Sequence, residues 1–309
     1  MSEVESEPAL SLVVPVFNEE GNVVSLHGEL TRVARELGRT YEIVFVNDGS
    51  HDATLERLQA LCIIDPNLRI VDLDGNFGEA AALSAGFAHA RGAVVVTLDG
   101  DGQNDPADIP RLLARLEPGI DVVSGRRQER KEAFLARVLP SRIANWLIAR
   151  LTGVPVYDCG CGLKAYRREV LANAQLPRGM NRFLPAILRV DPKRVVEVWV
   201  NDRQRGSGTS HYGFSRTFVV LRDLLAIPLL VRLPPRTLGR ALGGAQVTLA
   251  ALGVAGIVAA LGWPAERTPA LLATLVAVGG TGVGWSIGQN VDRYVQAREH
   301  GVFRVKKGT

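Results

Sequence analysis

Between Leu10 and about Trp199, short apolar runs alternate with longer segments whose apolar residues recur at helical spacing. LSLVVPVF, EIVFVND, LRIVDLD and AVVVTLDGD are the short runs; EEGNVVSLHGELTRVARELG typifies the long ones. The runs are rich in Val and Ile and close on Asp, Asn or Gly. Strands buried on both faces of a sheet read this way, so the expected fold class is α/β, a mostly parallel sheet with crossover helices. Such sheets bind ligands beyond the carboxyl ends of their strands. Asn18, Asp48, Asp74 and Asp99 all fall where a strand should end, and several polar residues in series predict a site there.

The pattern changes after Asn201. Residues 201–216 (NDRQRGSGTSHYGFSR) are polar, basic and glycine-rich, which predicts a loop. Residues 217–233 (TFVVLRDLLAIPLLVRL) are apolar with Arg222, Asp223 and Arg232 interspersed, which suits an amphipathic helix on a membrane surface. Residues 244–263 and 269–288 carry no charge, and each is about the length that crosses a bilayer as a helix. Trp263 and Trp285 stand near their ends, as interfacial aromatics do. The connector PAERT is short, so the expectation is a transmembrane hairpin. Arg232, Arg236 and Arg240 precede it, and Arg293, Arg298, Arg304, Lys306 and Lys307 follow, which places both flanks in the cytoplasm. Four regions follow: a catalytic domain over 1–216, a surface helix and linker over 217–240, two transmembrane helices over 241–290, and a basic cytoplasmic tail over 291–309. The expected location is the inner cell membrane. Gly280, Gly284 and Gly288 form a small-residue ridge on the second span, a candidate homo-oligomer face.

Length and composition add bounds. The 309 residues suffice for one large α/β domain plus an appendage. The net charge of +4 is too mild to indicate nucleic acid, and much of the positive charge follows residue 126, which suits a phosphate-bearing partner or a lipid surface. Cys62, Cys159 and Cys161 make a disulfide framework unexpected, and no second Cys/His pair completes a metal site with Cys159 and Cys161. The opening MSEVESEP is acidic and polar, unlike a signal peptide.

Asp99-Gly100-Asp101, after the buried run AVVVTL, is the strongest local motif. Two carboxylates two residues apart converge on one hard cation, and Mg²⁺ or Mn²⁺ takes oxygen ligands while keeping substrate phosphates in its shell. An EF-hand loop is excluded because Asn104 sits where that loop needs glycine and a strand precedes it. Upstream, Asn18 and Glu19 are expected to open a helix whose free N–H groups favour anions, with helix capping as the other role for Asn18 and for Asp52. Asp48 is placed to accept from a base N–H or a ribose hydroxyl. The alanines of EAAALSAGFAHA are expected in the core.

VVPVFNEE, VNDGSHDAT, NFGEAAALSAG and LDGDGQNDPADI together resemble the nucleotide-binding half of inverting family-two glycosyltransferases, which have the GT-A fold. DCGCGLKAYRREVL, MNRFLPAIL and RGSGTSHYGFSR narrow the likeness to the polyprenyl-phosphate branch, that of dolichyl-phosphate mannose synthase and its bacterial undecaprenyl-phosphate relatives. The resemblance implies transfer of a sugar from a nucleotide sugar, UDP-hexose before GDP-mannose, to a polyisoprenyl phosphate. It implies that Pro15, Asn18, Glu19, Asp48 and Asn76 bind the nucleotide, and that Asp99, Asp101 and Gln103 hold the metal and diphosphate. Arg126, Arg137, Ser141, Arg205 and Ser210 match phosphate-linked segments, with the arginines counted in the catalytic set, and Asp158 falls in the substrate-binding DCGCG segment. Cys161 stands where some bacterial relatives carry an acid.

A lipid phosphate is already anionic near neutral pH, so it attacks without a strong base, and the protein has to supply position, charge neutralisation and a dry site. A processive polysaccharide synthase would need an acidic base motif and a QxxRW segment; QLPRG at Gln175 lacks the tryptophan. A non-catalytic scaffold with a transferase-like fold would have no use for an intact DGD.

Overall fold

The computed structural model describes residues 7–127, 156–172, 174–176, 179–181, 184–203, 235–262 and 267–306. The chain divides into two units. The first comprises Met1–Tyr212 together with His300–Thr309, and the second Gly213–Glu299.

In the first unit, β1 (Leu10–Val16), β2 (Tyr41–Asn47), β3 (Leu68–Asp72) and β4 (Val94–Thr97) are linked by α1 (Val23–Glu36), α2 (Thr54–Ile64) and α3 (Glu79–His89). Next come α4 (Ile109–Arg115), β5 (Val122–Arg127), β6 (Lys164–Arg167), α5 (Arg168–Leu171), α6 (Leu184–Ile187) and β7 (Val195–Val200). The strands form one sheet in the order β3-β2-β1-β4-β6-β5-β7. Every pairing is parallel except the two that β6 makes, with β4 and with β5. The expected α/β class and mostly parallel sheet are therefore observed.

The apolar runs explain the layers. All seven residues of β1 are buried, as a strand covered on both faces requires. Helix α1 buries Val23, Leu26, Leu30 and Val33, one stripe at helical spacing. Helix α3 is small-residued because it lies close on the sheet: Ala80, Ala81, Ala82 and Ala85 are buried, and a methyl group at Gly86 would overlap the side chain of Val13. The alanines expected in the core are there.

A buried polar knot closes the amino edge of the sheet. The Ser11 hydroxyl donates to Glu42 at 2.6 Å, and the same carboxylate accepts from the Arg69 and Arg91 guanidiniums at 3.0 Å each and from the Arg91 N–H at 2.6 Å. Burial pushes the Glu42 carboxyl up, but these donors together hold it below its usual range.

Residues after the second unit return to the first. Val305 bridges Leu73 in antiparallel fashion. The Asp74 N–H donates to the Arg304 carbonyl at 3.0 Å, the Lys306 N–H donates to the Asp72 carbonyl at 2.9 Å, and the Lys306 ammonium pairs with the Asp72 carboxylate at 2.7 Å. The basic tail thus bridges the chain at the end of β3, a contact between residues 234 apart in sequence.

The second unit holds α7 (Pro235–Gly262) and α8 (Arg267–His300). Both uncharged segments are helical where described, with Leu252, Val254, Val258, Leu275, Val276 and Val278 exposed. Among the described residues no helix is long and apolar enough to cross a membrane. The glycine ridge faces inward: a methyl group at Gly280 would stand 3.1 Å from Leu249, and one at Gly284 or Gly288 would stand 3.2 or 3.3 Å from Gln246. The ridge expected to bind a second copy is used to seat α7 on α8, which removes the basis for that oligomer expectation. The amphipathic helix expected over 217–233 lies outside the described residues.

Candidate active site

Register places the expected chemistry at one edge. Because β6 runs against its neighbours, its first residue, Lys164, pairs with Thr97 at the end of β4 and with Ser124 of β5. The carboxyl ends of β1, β2, β3, β4, β5 and β7 therefore share an edge with the start of β6.

The turn after β4 carries Asp99 and Asp101. The Asp99 N–H donates to the Asn104 side chain at 2.9 Å, and the Gln103 N–H donates to the Asp101 carboxylate at 3.0 Å. Gly100 lies so close to Pro15 and Val16 that a methyl group there would stand 2.8 Å from the Pro15 carbonyl and 2.7 Å from Val16. Pro15 and the two carboxylates are thereby brought together. Gly162 lies against Asp99 from the other side, where any side chain would overlap the carboxylate. Burial pushes the Asp99 carboxyl up to about 7, helped by the charges of Glu79 and Asp101 and opposed by Lys164 and Arg127. A site that makes an aspartate this reluctant to ionise is short of positive charge. Among the described residues no group of three or more His, Cys, Asp or Glu side chains surrounds a metal position. The donor set fits a Mg²⁺ or Mn²⁺ ion held by two carboxylates and completed by substrate oxygens and water. The Gln103 carbonyl accepts from the Arg203 N–H at 2.9 Å, and Arg203 is fixed in turn by Glu29 and Asp105, both at 2.6 Å.

The neighbouring loops form the other half of the site. Asn18 does not open a helix: its φ is +54°, its side chain accepts from the His51 N–H at 2.8 Å, and its own N–H donates to Ser50 at 3.0 Å. Helix α1 starts only at Val23 because the β1–α1 turn is laced to the β2–α2 turn, with the Glu19 N–H on Thr54 and the Glu20 N–H on Asp52. Asp52 also accepts from the Thr54 N–H at 3.1 Å, just ahead of α2, whose N-cap position is Ala53. Asp48 is buried, and its two carboxylate oxygens accept from the Phe77 and Gly78 N–H groups at 2.7 and 2.8 Å. It clasps the turn that carries Asn76. Gly49, at φ +69°, lies on the backbone of Gly75 and Asn76, an approach closed to any larger residue.

At the β5 end, neighbouring arginines differ in role. Arg127 pairs bidentately with Asp158 at 2.8 and 2.9 Å and also donates its N–H to it. Asp158, expected to bind substrate, holds its own loop on β5, and the arginine's hydrogen bonds keep its carboxyl low against the effect of burial. The Arg126 guanidinium carbon lies over two aromatic rings, 4.2 Å from the Trp199 ring centre and 4.9 Å from that of Tyr157. Cys161 is buried, and burial pushes its thiol up to about 12, so it serves as an apolar filler. No disulfide joins Cys62, Cys159 or Cys161. Lys164 was missed by sequence reasoning. It is buried at the foot of the site, with its ammonium on the carbonyls of Cys159 and Cys161. A lysine inside an apolar strand pattern was the available signal. Arg137, Ser141, Arg205 and Ser210 lie outside the described residues.

Comparison with known proteins agrees with this geometry. The family description "Glycosyl transferase family 2" matches residues 11–174. A dodecaprenyl-phosphate galacturonate synthase of Rhizobium johnstonii is 41% identical over 247 residues, covering 79% of this chain and 73% of that protein. An undecaprenyl-phosphate 4-deoxy-4-formamido-L-arabinose transferase of Pseudomonas aeruginosa is 39% identical over 217 residues, covering 70% of this chain and 64% of its own length. Glucosyl-3-phosphoglycerate synthase from Mycobacterium tuberculosis, solved with Mn²⁺, UDP-glucose and phosphoglyceric acid, superposes with a TM-score of 0.55 at 20% identity, over 72% of this chain and 79% of that one, which shows a shared fold.

Proposed function

The chain belongs to glycosyl transferase family 2 and is a glycosyltransferase of its polyprenyl-phosphate branch, and we propose that it moves a sugar, with inversion, from a nucleoside diphosphate onto a polyisoprenyl phosphate. One observation carries this reading. The paired carboxylates Asp99 and Asp101 and the stacked guanidinium of Arg126 stand at the same sheet edge. That arrangement suits a reaction with phosphate on both sides of the transferred sugar. The names of the relatives support the lipid acceptor: one is a dodecaprenyl-phosphate enzyme and the other an undecaprenyl-phosphate enzyme.

Asp99 and Asp101, with Gln103, would hold Mg²⁺ or Mn²⁺, which when bound offsets the charge of the departing diphosphate. Pro15, Asn18, Glu19, Asp48 and Asn76 line the loops that receive the nucleotide. The clasp of Asp48 on Phe77 and Gly78 fixes that pocket before the donor arrives. Arg126 receives phosphate oxygens through its planar fork, as would Arg137 and Arg205, with the Ser141 and Ser210 hydroxyls as further substrate-binding groups. No proton has to be removed from the acceptor, which agrees with a buried Cys161 that stays a neutral thiol.

The exposed apolar surfaces of α7 and α8, and the basic residues on either side of them, support a membrane-held hairpin with the catalytic unit on the cytoplasmic side. Labelling a cysteine at position 266 from outside the cell, but not one at position 308, is the expected result; the reverse pattern defeats the orientation.

Screening nucleotide sugars for transfer to undecaprenyl phosphate, with and without Mn²⁺, tests the activity. Label should appear in the lipid only with a divalent ion present, and Asp101→Asn should remove most turnover while the fold persists. Transfer to a soluble hydroxyl acceptor but never to the lipid phosphate would defeat the proposal.

A further inference from the structure

Arg126 is held in an unusual way for this chain. Arg127, Arg111, Arg194 and Arg203 each pair with a carboxylate within 3.1 Å. No described carboxylate pairs with Arg126; its partners are the rings of Trp199 and Tyr157. Glu197 is close enough to sense its charge, but the carboxylate accepts instead from the Tyr157 and Asp158 N–H groups at 2.7 and 3.0 Å.

Three elements build this clamp. Arg126 and Trp199 are register partners on β5 and β7, so their side chains rise from the same face. Trp199 is steadied by its carbonyl, which accepts from Arg111 at 2.8 Å. Tyr157 is steadied by Glu197 on its own N–H and, one residue on, by the Arg127–Asp158 pair. The rings are 48% and 61% exposed for Trp199 and Tyr157, too open to serve as core. Their shared feature is the cation between them.

The clamp stands at the same sheet edge as the carboxylates. Thr97, Lys164, Ser124 and Glu197 form one cross-strand rank. Arg126 and Trp199 lie two residues past Ser124 and Glu197 and share one face of β5 and β7, and Asp99 lies in the turn two residues past Thr97, at the same sheet edge. Strands β4 and β5 are separated by β6, which sets the two groups about two strand spacings apart, roughly 10 Å. That gap accommodates one sugar ring between a diphosphate at Asp99 and a second phosphate at Arg126.

We propose that Tyr157 and Trp199 are positioning residues that hold the Arg126 fork edge-on toward the acceptor phosphate. The inference rests on the phosphate-binding role of Arg126 given above and assigns that role to the acceptor phosphate. A ring held over the face of a guanidinium leaves its in-plane N–H groups for phosphate oxygens. It also freezes a side chain that would otherwise lose several rotamers on binding, and a lysine cannot replace it because an ammonium has neither plane nor fork.

The test uses the full chain in detergent. Undecaprenyl phosphate binding is measured with UDP and Mn²⁺ present, and UDP affinity separately. The variants are Trp199→Ala, Trp199→Phe, Tyr157→Ala, Arg126→Lys, and Trp199→Ala combined with Arg126→Lys. Trp199→Ala should weaken lipid-phosphate binding about tenfold and leave UDP affinity within about twofold. Phenylalanine should recover most of the loss. The double variant should bind no more weakly than Arg126→Lys alone, because the ring acts through the guanidinium. Additive losses in the double variant, or UDP affinity falling in parallel, would overturn the clamp. Lysine at 126 with normal lipid binding would remove Arg126 from the acceptor site and the clamp with it. A weakened Arg126→Lys beside normal Trp199→Ala and Tyr157→Ala would defeat the clamp alone.

Discussion

Replacing Asp99 by asparagine should stabilise the metal-free protein while abolishing its turnover, and the stabilisation should grow with pH. The Asp99 carboxyl is pushed up from 3.8 in the open chain to about 7 in the fold, by burial first and then by Glu79 and Asp101. The folded state then binds the proton more tightly than the unfolded state. The sign is opposite to that of a salt-bridged aspartate: stability is highest below about 3.8, falls as pH rises toward about 7, and stays low above it. Integrating between those two values gives a cost of about 2 kcal/mol at pH 5 and about 4 kcal/mol at pH 8. Rearrangement of water and neighbouring dipoles lowers both figures, by about half. Asparagine keeps the shape and never ionises. Its advantage over the parent should therefore widen by about 1–3 kcal/mol from pH 5 to pH 8, or roughly 3–10 °C in Tm for a domain of this size. Differential scanning fluorimetry in chelator at both pH values measures it. Saturating Mn²⁺ at pH 8 should reverse the order, because only the aspartate gains a ligand. An advantage that is flat with pH, or that shrinks toward pH 8, refutes the reasoning.

Two other substitutions probe the frame around that carboxylate. Gly162→Ala should push the Asp99 carboxylate back by on the order of 1 Å, and turnover should fall about a hundredfold, with a loss of stability of about 1–3 kcal/mol; steady-state rates and unfolding midpoints measure both, and a rate within a few-fold of the parent would show that the contact yields. Glu42→Gln should destabilise the fold by about 3 kcal/mol near neutral pH, since two guanidiniums lose their charged partner. The Glu42 carboxyl is depressed below 4.5, so its contribution is complete above that value and is lost as pH falls through the folded value; a denaturant series should show parent and variant converging in acid.

The strands, their order of appearance and the DGD turn were legible because each is local. A run such as VVPVF reports its own burial, and an Asp at its end reports the sheet edge. What could not be read depends on residues far apart. Asn18 looked like a helix opener, but its conformation is decided by His51 and Ser50, more than thirty positions on. Nothing in DCGCG announces that Asp158 also pairs with the Arg127 fork. The aromatic clamp needs the β5–β7 register, which the apolar pattern does not specify, and Lys164 becomes a site residue only once β6 is known to run against its neighbours. The glycine ridge was visible, but its choice between a sister helix and a second copy was decided by Leu249 and Gln246.

The tail that pairs with β3 has a consequence for synthesis. Lys306 leaves the ribosome 234 residues after Asp72, and at about 5–20 residues per second the interval is roughly 10–50 s. Throughout it, the rest of the sheet can assemble while the outer edge of β3 at Asp72–Asp74 still offers unpaired backbone groups to any other strand. A nascent chain truncated anywhere within the helix pair would keep that edge open permanently. Such fragments should self-associate through it, and a peptide carrying the sequence of residues 301–306 supplied in trans should compete for the same edge and keep them soluble.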